Sequence, residues 1–167
     1  MPWPLQSECD AFYGNPRNSR DPSRASPKWE SENLVRVKPP FVVYYEGKPV
    51  RAGMLVHEKV ADSLMKVFTA IWKKSGESQA KVDAWGISNY AGAYNFRMMR
   101  GSSRLSMHSW GCALDFDPDR NGMGDTTPHF AEVPEVVAAF EAEGWVWGGR
   151  WSGKSCDGMH FQAARPK

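Results

Sequence analysis

One stretch of this 167-residue chain carries a long helical stripe, and no other segment does. Val60, Leu64, Phe68, Ile71 and Trp72 fall at the i, i+4, i+8, i+11 and i+12 positions of one buried face. This spacing predicts a helix over 57–75, closed by Gly76. The other apolar segments are short. Residues 34–38 and 41–46 are β-branched and aromatic, are separated by Pro39-Pro40, and lead into a turn at Glu46-Gly47-Lys48. Further strands are expected over 81–88 and 111–117, and two more flank a Gly/Ser loop within 145–164. A second helix is expected near 132–142, with Val133, Val136, Val137 and Phe140 on one face and Gly144 after its end. Helices and strands do not alternate strictly, so the pattern predicts an α+β fold: a small, mainly antiparallel sheet packed with two or three helices.

At roughly 100–200 residues per domain, the length predicts one domain. Residues 1–33 are rich in Pro, Ser, Asn and Arg and have no periodicity. They are expected to form an irregular arm packed on a single domain over 34–167. Trp3, Phe12, Tyr13 and Trp29 should pin the arm, because disordered segments are poor in aromatics. No apolar run is long enough to span a membrane, and no membrane insertion is expected. The N-terminus has neither a basic region nor an apolar core, so no secretory signal is expected. Three cysteines, Cys9, Cys112 and Cys156, do not make a disulfide framework and suit synthesis in a reducing cytoplasm. A net charge of +2 is too weak a bias to argue for a nucleic-acid partner, and a monomer is expected.

Two of the four histidines sit in unusual settings. His108 lies in Ser106-Met-His-Ser-Trp-Gly-Cys-Ala-Leu-Asp115, and His160 lies in Asp157-Gly-Met-His-Phe-Gln162. Alone, such a His reads as a core or surface residue, and an Asp at a strand end reads as a cap. In combination they mean more, because polar residues inside apolar strand sequence need partners once buried. A hydrolytic zinc takes three protein ligands and keeps one position open. His108, Asp115 and His160 are a suitable donor set. Asp157, three residues before His160, can serve as general base beside them.

These residues resemble a known family. The pattern is Ser106-x-His108-x-x-Gly111-x-Ala113-x-Asp115, then Gly144-Trp-Val-Trp-Gly-Gly-Arg-Trp151, then Asp157-x-Met159-His160-Phe161. It is similar to the zinc peptidases that cut peptidoglycan stems, the VanY-like D-alanyl-D-alanine carboxypeptidases and the phage L-alanyl-D-glutamate endopeptidases. The likeness runs over about residues 85–165. It implies the Hedgehog/D,D-peptidase-like fold, one Zn²⁺ held by His108, Asp115 and His160, and Asp157 as the base. It also implies an oxyanion-binding Arg97, with Arg100 as the fallback, from the segment Tyr94-Asn-Phe-Arg97-Met-Met-Arg100-Gly-Ser. Ser106, Tyr94 and Trp147 are the candidate substrate contacts.

The sequence departs from that pattern at Gln162, where many relatives carry Glu; the amide can still orient a ligand. Cys112 and Cys156 flank motif positions and read as buried thiols, with soft metal ligation as the alternative. Asp117-Pro-Asp119-Arg-Asn121-Gly122 matches the opening of a calcium loop, but Pro128 stands where the bidentate Glu belongs. A polar loop is expected there, with Ca²⁺ at Asp117, Asp119 and Asn121 as the alternative. His57 reads as a surface or capping residue, and His129 as solvent-exposed or lining the cleft. Trp145, Trp147 and Trp151 read as core or cleft wall.

The expected function is a zinc peptidase acting on peptidoglycan stem peptides, foremost an L-alanyl-D-glutamate endopeptidase. It would serve as a phage or prophage endolysin, made in the cytoplasm and acting at the wall after release. The alternatives are a D-alanyl-D-alanine carboxypeptidase, a virion component making the same cut, or a non-catalytic wall-binding domain on the same fold.

Overall fold

The structure is a computed structural model and describes residues 2–167. Its elements run in the order α1 (Cys9–Tyr13), α2 (Pro27–Asn33), β1 (Leu34–Val37), β2 (Tyr44–Tyr45), β3 (Lys48–Pro49), β4 (Met54–His57), α3 (Glu58–Lys74), α4 (Gln79–Trp85), β5 (Tyr90–Gly92), β6 (Ala113–Phe116), α5 (Pro134–Ala142), β7 (Val146–Trp147) and β8 (His160–Gln162). All strand pairs within these elements are antiparallel. A four-stranded sheet has the order β5-β6-β8-β7, and β1-β4 and β2-β3 form two-stranded ribbons. The α+β class and the small antiparallel sheet expected from sequence are present.

The long helix α3 buries Val60, Leu64, Val67, Phe68 and Ile71. Phe68 meets Phe116 of β6 and Phe140 of α5 edge-on, and Phe140 stacks on Phe161 of β8 with centroids 4.1 Å apart. One face of the β6-β8 pair therefore closes the core. Each such fully buried side chain supplies about 1.5–3 kcal/mol of hydrophobic stabilisation. Side chains alternate along a strand, so the opposite face of β6 and β8 is left to carry Asp115, His160 and Gln162.

Three local expectations are corrected. Residues 81–88 are not a strand; most of them belong to α4. Ser78 caps that helix by accepting from the Lys81 amide at 3.2 Å, and Gly86 ends it in the left-handed conformation at φ 95°. Capping at both ends outweighs a short apolar pattern. Within 41–46 only Tyr44–Tyr45 pairs as a strand. The Gln79 side chain instead takes both backbone groups of Val42, at 2.9 Å each. The arm is also not irregular throughout, because α1 and α2 form within it. Trp3 donates to the Glu143 carbonyl at 2.9 Å and Tyr13 to the Ala163 carbonyl at 2.7 Å, while Trp29 donates to the Tyr13 carbonyl at 3.0 Å within residues 1–33.

His57 is the N-cap of α3, as one reading of it had it, but it is fully buried rather than on the surface. Its Nδ1 accepts from the Lys59 amide at 3.1 Å, and its Nε2 lies 2.9 Å from the Tyr13 carbonyl. One neutral imidazole thus caps the main helix and holds the arm.

Candidate metal centre

Asp115 and His160 are direct cross-strand partners on β6 and β8. His108 arrives from a short 3₁₀ turn, Met107–Trp110, just before β6. Ser106 caps that turn and accepts from the His108 amide at 3.3 Å. Gly111 ends it at φ 68°, and a Cβ there would sit 2.7 Å from the His57 amide nitrogen, so only glycine lets the turn lie against β4. Each of the three residues offers a ligand atom, and these atoms lie within 4.8 Å of one another. Among the described residues this is the one such group.

The hydrogen bonds orient the set. His108 Nδ1 is 2.7 Å from the Ala93 carbonyl, which can only accept, so Nδ1 carries the hydrogen and Nε2 presents a lone pair. That Nε2 lies 3.2 Å from Asp115 Oδ2. His160 Nδ1 lies 3.0 Å from Asp115 Oδ1, and its Nε2 lies 2.8 Å from Gln162 Oε1. Nitrogen lone pairs facing carboxylate oxygens at these distances attract only through a shared cation, either a proton or a metal ion. Burial alone would raise the Asp115 pKa, but the two imidazoles facing it, which donate to it and carry positive charge when protonated, outweigh burial and hold the carboxyl well below the usual range. Burial pulls His160 down, and the Asp115 hydrogen bond and charge more than offset this and raise it. Two imidazoles and a carboxylate that stays ionised fit Zn²⁺, with a ligand position left over.

A cleft of about 220 Å³ opens over this set. Asp157, Arg97, Arg100, Ser106 and Trp151 line it together with the three ligand candidates. Asp157 Oδ1 is buried and has no hydrogen-bond partner. Burial pushes the Asp157 carboxyl upward and Asp115 adds to this, while His160, His108 and Arg97 pull the other way; the net direction is up. An orphaned carboxylate oxygen with a raised pKa beside a metal-ligand set is suited to accept a proton from a reacting group. Gly148 makes room for it: a Cβ there would lie 2.4 Å from the Asp157 carbonyl oxygen. Arg97 is exposed at the cleft, and its backbone is tied to the His108 turn. Ser109 Oγ accepts from the Arg97 amide at 3.1 Å and donates to its carbonyl at 3.0 Å.

Two expected substrate contacts lie elsewhere. Tyr94 does not line the cleft; its ring lies 6.1 Å from Trp29 and its hydroxyl bonds Glu30 of α2. Trp147 is a core residue. It pairs with Phe161, not with His160, so strand alternation puts it on the buried face, where its indole donates to the Gly158 carbonyl at 2.8 Å. Trp145 is likewise buried. The tryptophan of the cleft is Trp151, whose ring lies 5.7 Å from His160. His129 is half-buried and points to the Ala84 carbonyl rather than into the cleft.

The proposed calcium loop is a structural turn. Asp117 accepts from Asn89 at 3.2 Å and pairs with Arg120 at 2.7 Å, and Asn121 Oδ1 accepts from the Phe130 amide at 2.8 Å. Those oxygens are spent inside the protein, and nothing in the loop supports Ca²⁺. Cys112 and Cys156 are buried thiols outside the metal set, as the simpler reading had them. Gln6 of the arm also lines the cleft, and no local sequence signal marked it.

Residues 100–163 match a family model described as D-alanyl-D-alanine carboxypeptidase. The match takes in His108, Asp115, Asp157 and His160 and leaves out Tyr94 and Arg97. It supports, at the general level, a peptidase acting on peptidoglycan peptides, and peptidases of this family are zinc-dependent. No curated protein and no solved structure matches the chain. No helix of the described residues is long and apolar enough to cross a membrane.

Proposed function

We propose that the protein is a zinc-dependent peptidase that hydrolyses an amide bond in peptidoglycan stem peptides, foremost the L-alanyl-D-glutamate bond. The observation that carries this reading is the orphaned Asp157 oxygen in the same cleft as the His108, Asp115 and His160 donor set. Zinc, when bound there, supplies a Lewis acid for the scissile carbonyl and lowers the pKa of the attacking water. Asp157 takes the proton of that water and passes it to the leaving amine. Arg97, at the cleft mouth, stabilises the developing oxyanion. Ser106 holds the turn that presents His108, and Trp151 forms a wall beside His160.

The endopeptidase choice is supported by the shape of the surface. A second groove of about 510 Å³ shares Gln6, Met99 and Met107 with the cleft and includes Arg104 and Arg17. A peptide that extends beyond the cut needs room next to the cleft, which this neighbouring groove offers, whereas a carboxypeptidase must close on a free terminus. The D-alanyl-D-alanine carboxypeptidase remains the second reading, favoured by the description of the matching family. Action at the cell wall as a monomeric lysis enzyme, released after cytoplasmic synthesis, belongs to the same proposal.

The test is digestion of purified peptidoglycan by the zinc-loaded and the chelator-treated protein, followed by mass spectrometry. New D-glutamyl amino termini establish the endopeptidase, and free D-alanine the carboxypeptidase. No product from fully zinc-loaded protein overturns the peptidase reading in favour of a wall-binding domain.

A further inference from the structure

Gln162 is almost fully buried, on the cleft face of β8 beside His160. Both N–H groups of its amide and one lone pair of its oxygen are engaged. Its Nε2 donates to the Ala164 carbonyl at 2.9 Å and to Gln6 Oε1 at 2.8 Å, and its Oε1 faces His160 Nε2 at 2.8 Å. The Ala164 carbonyl has no hydrogen to give. A flipped amide would set oxygen against oxygen there, so the amide has one orientation. With Oε1 toward His160, the ring carries a hydrogen on Nε2, so the neutral imidazole is the Nε2–H tautomer and presents its Nδ1 lone pair toward Asp115.

We propose that Gln162, clamped by the Ala164 carbonyl and by Gln6 of the arm, is the positioning residue that holds His160 in the tautomer that ligates metal through Nδ1. The arm thereby forms part of the metal site, across 156 residues of sequence. Gln6 is itself placed by backbone pairing, because its amide donates to the Arg165 carbonyl at 2.8 Å and Leu5 bridges Arg165. The inference rests on His160 being a metal ligand, and its test does not depend on peptidase activity.

Gln162→Met and Gln162→Glu separate positioning from packing. Met preserves length and apolar fit but replaces the amide oxygen with a thioether sulfur, a much weaker acceptor for His160. Glu keeps the acceptor but places a charge in a buried position and loses the donors. Zinc affinity is read by chelator competition, and the His160 tautomer by imidazole ¹⁵N correlation spectra of the metal-free protein at a pH where the ring is neutral. Gln162→Met is expected to lose about 10–100-fold in zinc affinity, as residues that orient a metal-bound His commonly do, and to show mixed tautomers. Gln162→Glu is expected to bind zinc more tightly than Gln162→Met and to keep the Nε2–H form. Gln6→Ala should give a smaller loss, because the Ala164 contact remains. Wild-type affinity and tautomer in Gln162→Met, or a Glu variant worse than Met on both readouts, would overturn the proposal. If Gln162→Met does not fold, the tautomer in Gln162→Glu and in Gln6→Ala decides, and a mixed tautomer in the Glu variant sinks the idea. Tight zinc binding without peptide cleavage would refute the peptidase reading and leave this one standing.

Discussion

Asp157→Asn removes one proton acceptor and changes almost nothing else. The amide has the shape of the carboxyl it replaces, and the buried Oδ1 has no hydrogen bond to lose. Asp157 is not one of the three grouped ligand candidates, so zinc content should be unchanged. The raised pKa means that the folded protein holds the ionised carboxylate less well than the unfolded chain does. This group's favourable contribution is complete below its unfolded pKa and is lost as pH rises through the folded value, so at neutral pH the amide should not lower the melting temperature. A positioned general base contributes about 10²–10⁴ in rate, which is roughly 2.7–5.4 kcal/mol of barrier at 1.36 kcal/mol per tenfold. The expected variant is therefore folded, zinc-loaded, and slower by about that factor. The assay is release of peptide from a purified muropeptide, with zinc measured on the same sample. Activity within tenfold of wild type would refute Asp157 as the base. Loss of zinc would show that it is a ligand instead.

Further predictions concern the frame of the site. Asp115→Asn should weaken zinc binding by more than the roughly 10–100-fold typical of residues that only orient a ligand, as read by chelator competition. Gly148→Ala forces a Cβ against the Asp157 backbone and should cost about 1–3 kcal/mol with a marked fall in activity, checked by chemical denaturation and turnover together. Burial lowers the His57 pKa below its usual 6.5, so the unfolded chain takes up this proton first. The stability it confers should be present above about pH 6.5 and lost as pH falls through the folded value, and His57→Asn should flatten that part of a stability–pH profile.

The long helix was legible because its stripe needs only local spacing, and the small sheet because its strands are bounded by turns. The candidate donor set was legible because polar residues in apolar strand sequence demand partners, and because its spacing resembles a known zinc peptidase pattern. What failed were the readings that depend on where neighbours lie. The strand expected at 81–88 gave way to the caps at Ser78 and Gly86. Trp147 and Trp151 stand four residues apart in one aromatic block, yet only the pairing of β7 with β8 decides that the first faces Phe161 and the core. The pattern of apolar segments therefore predicted the α+β class, and residue types and spacing pointed to a candidate donor set and a candidate base. Tertiary structure decided that the calcium-like oxygens are already bonded to Arg120, Asn89 and Phe130, and that His57 ties helix to arm. It also brought Gln6 to Gln162. Hydrogen bonds between residues far apart in the chain leave no local pattern, because either partner is an ordinary polar residue until the fold sets them face to face.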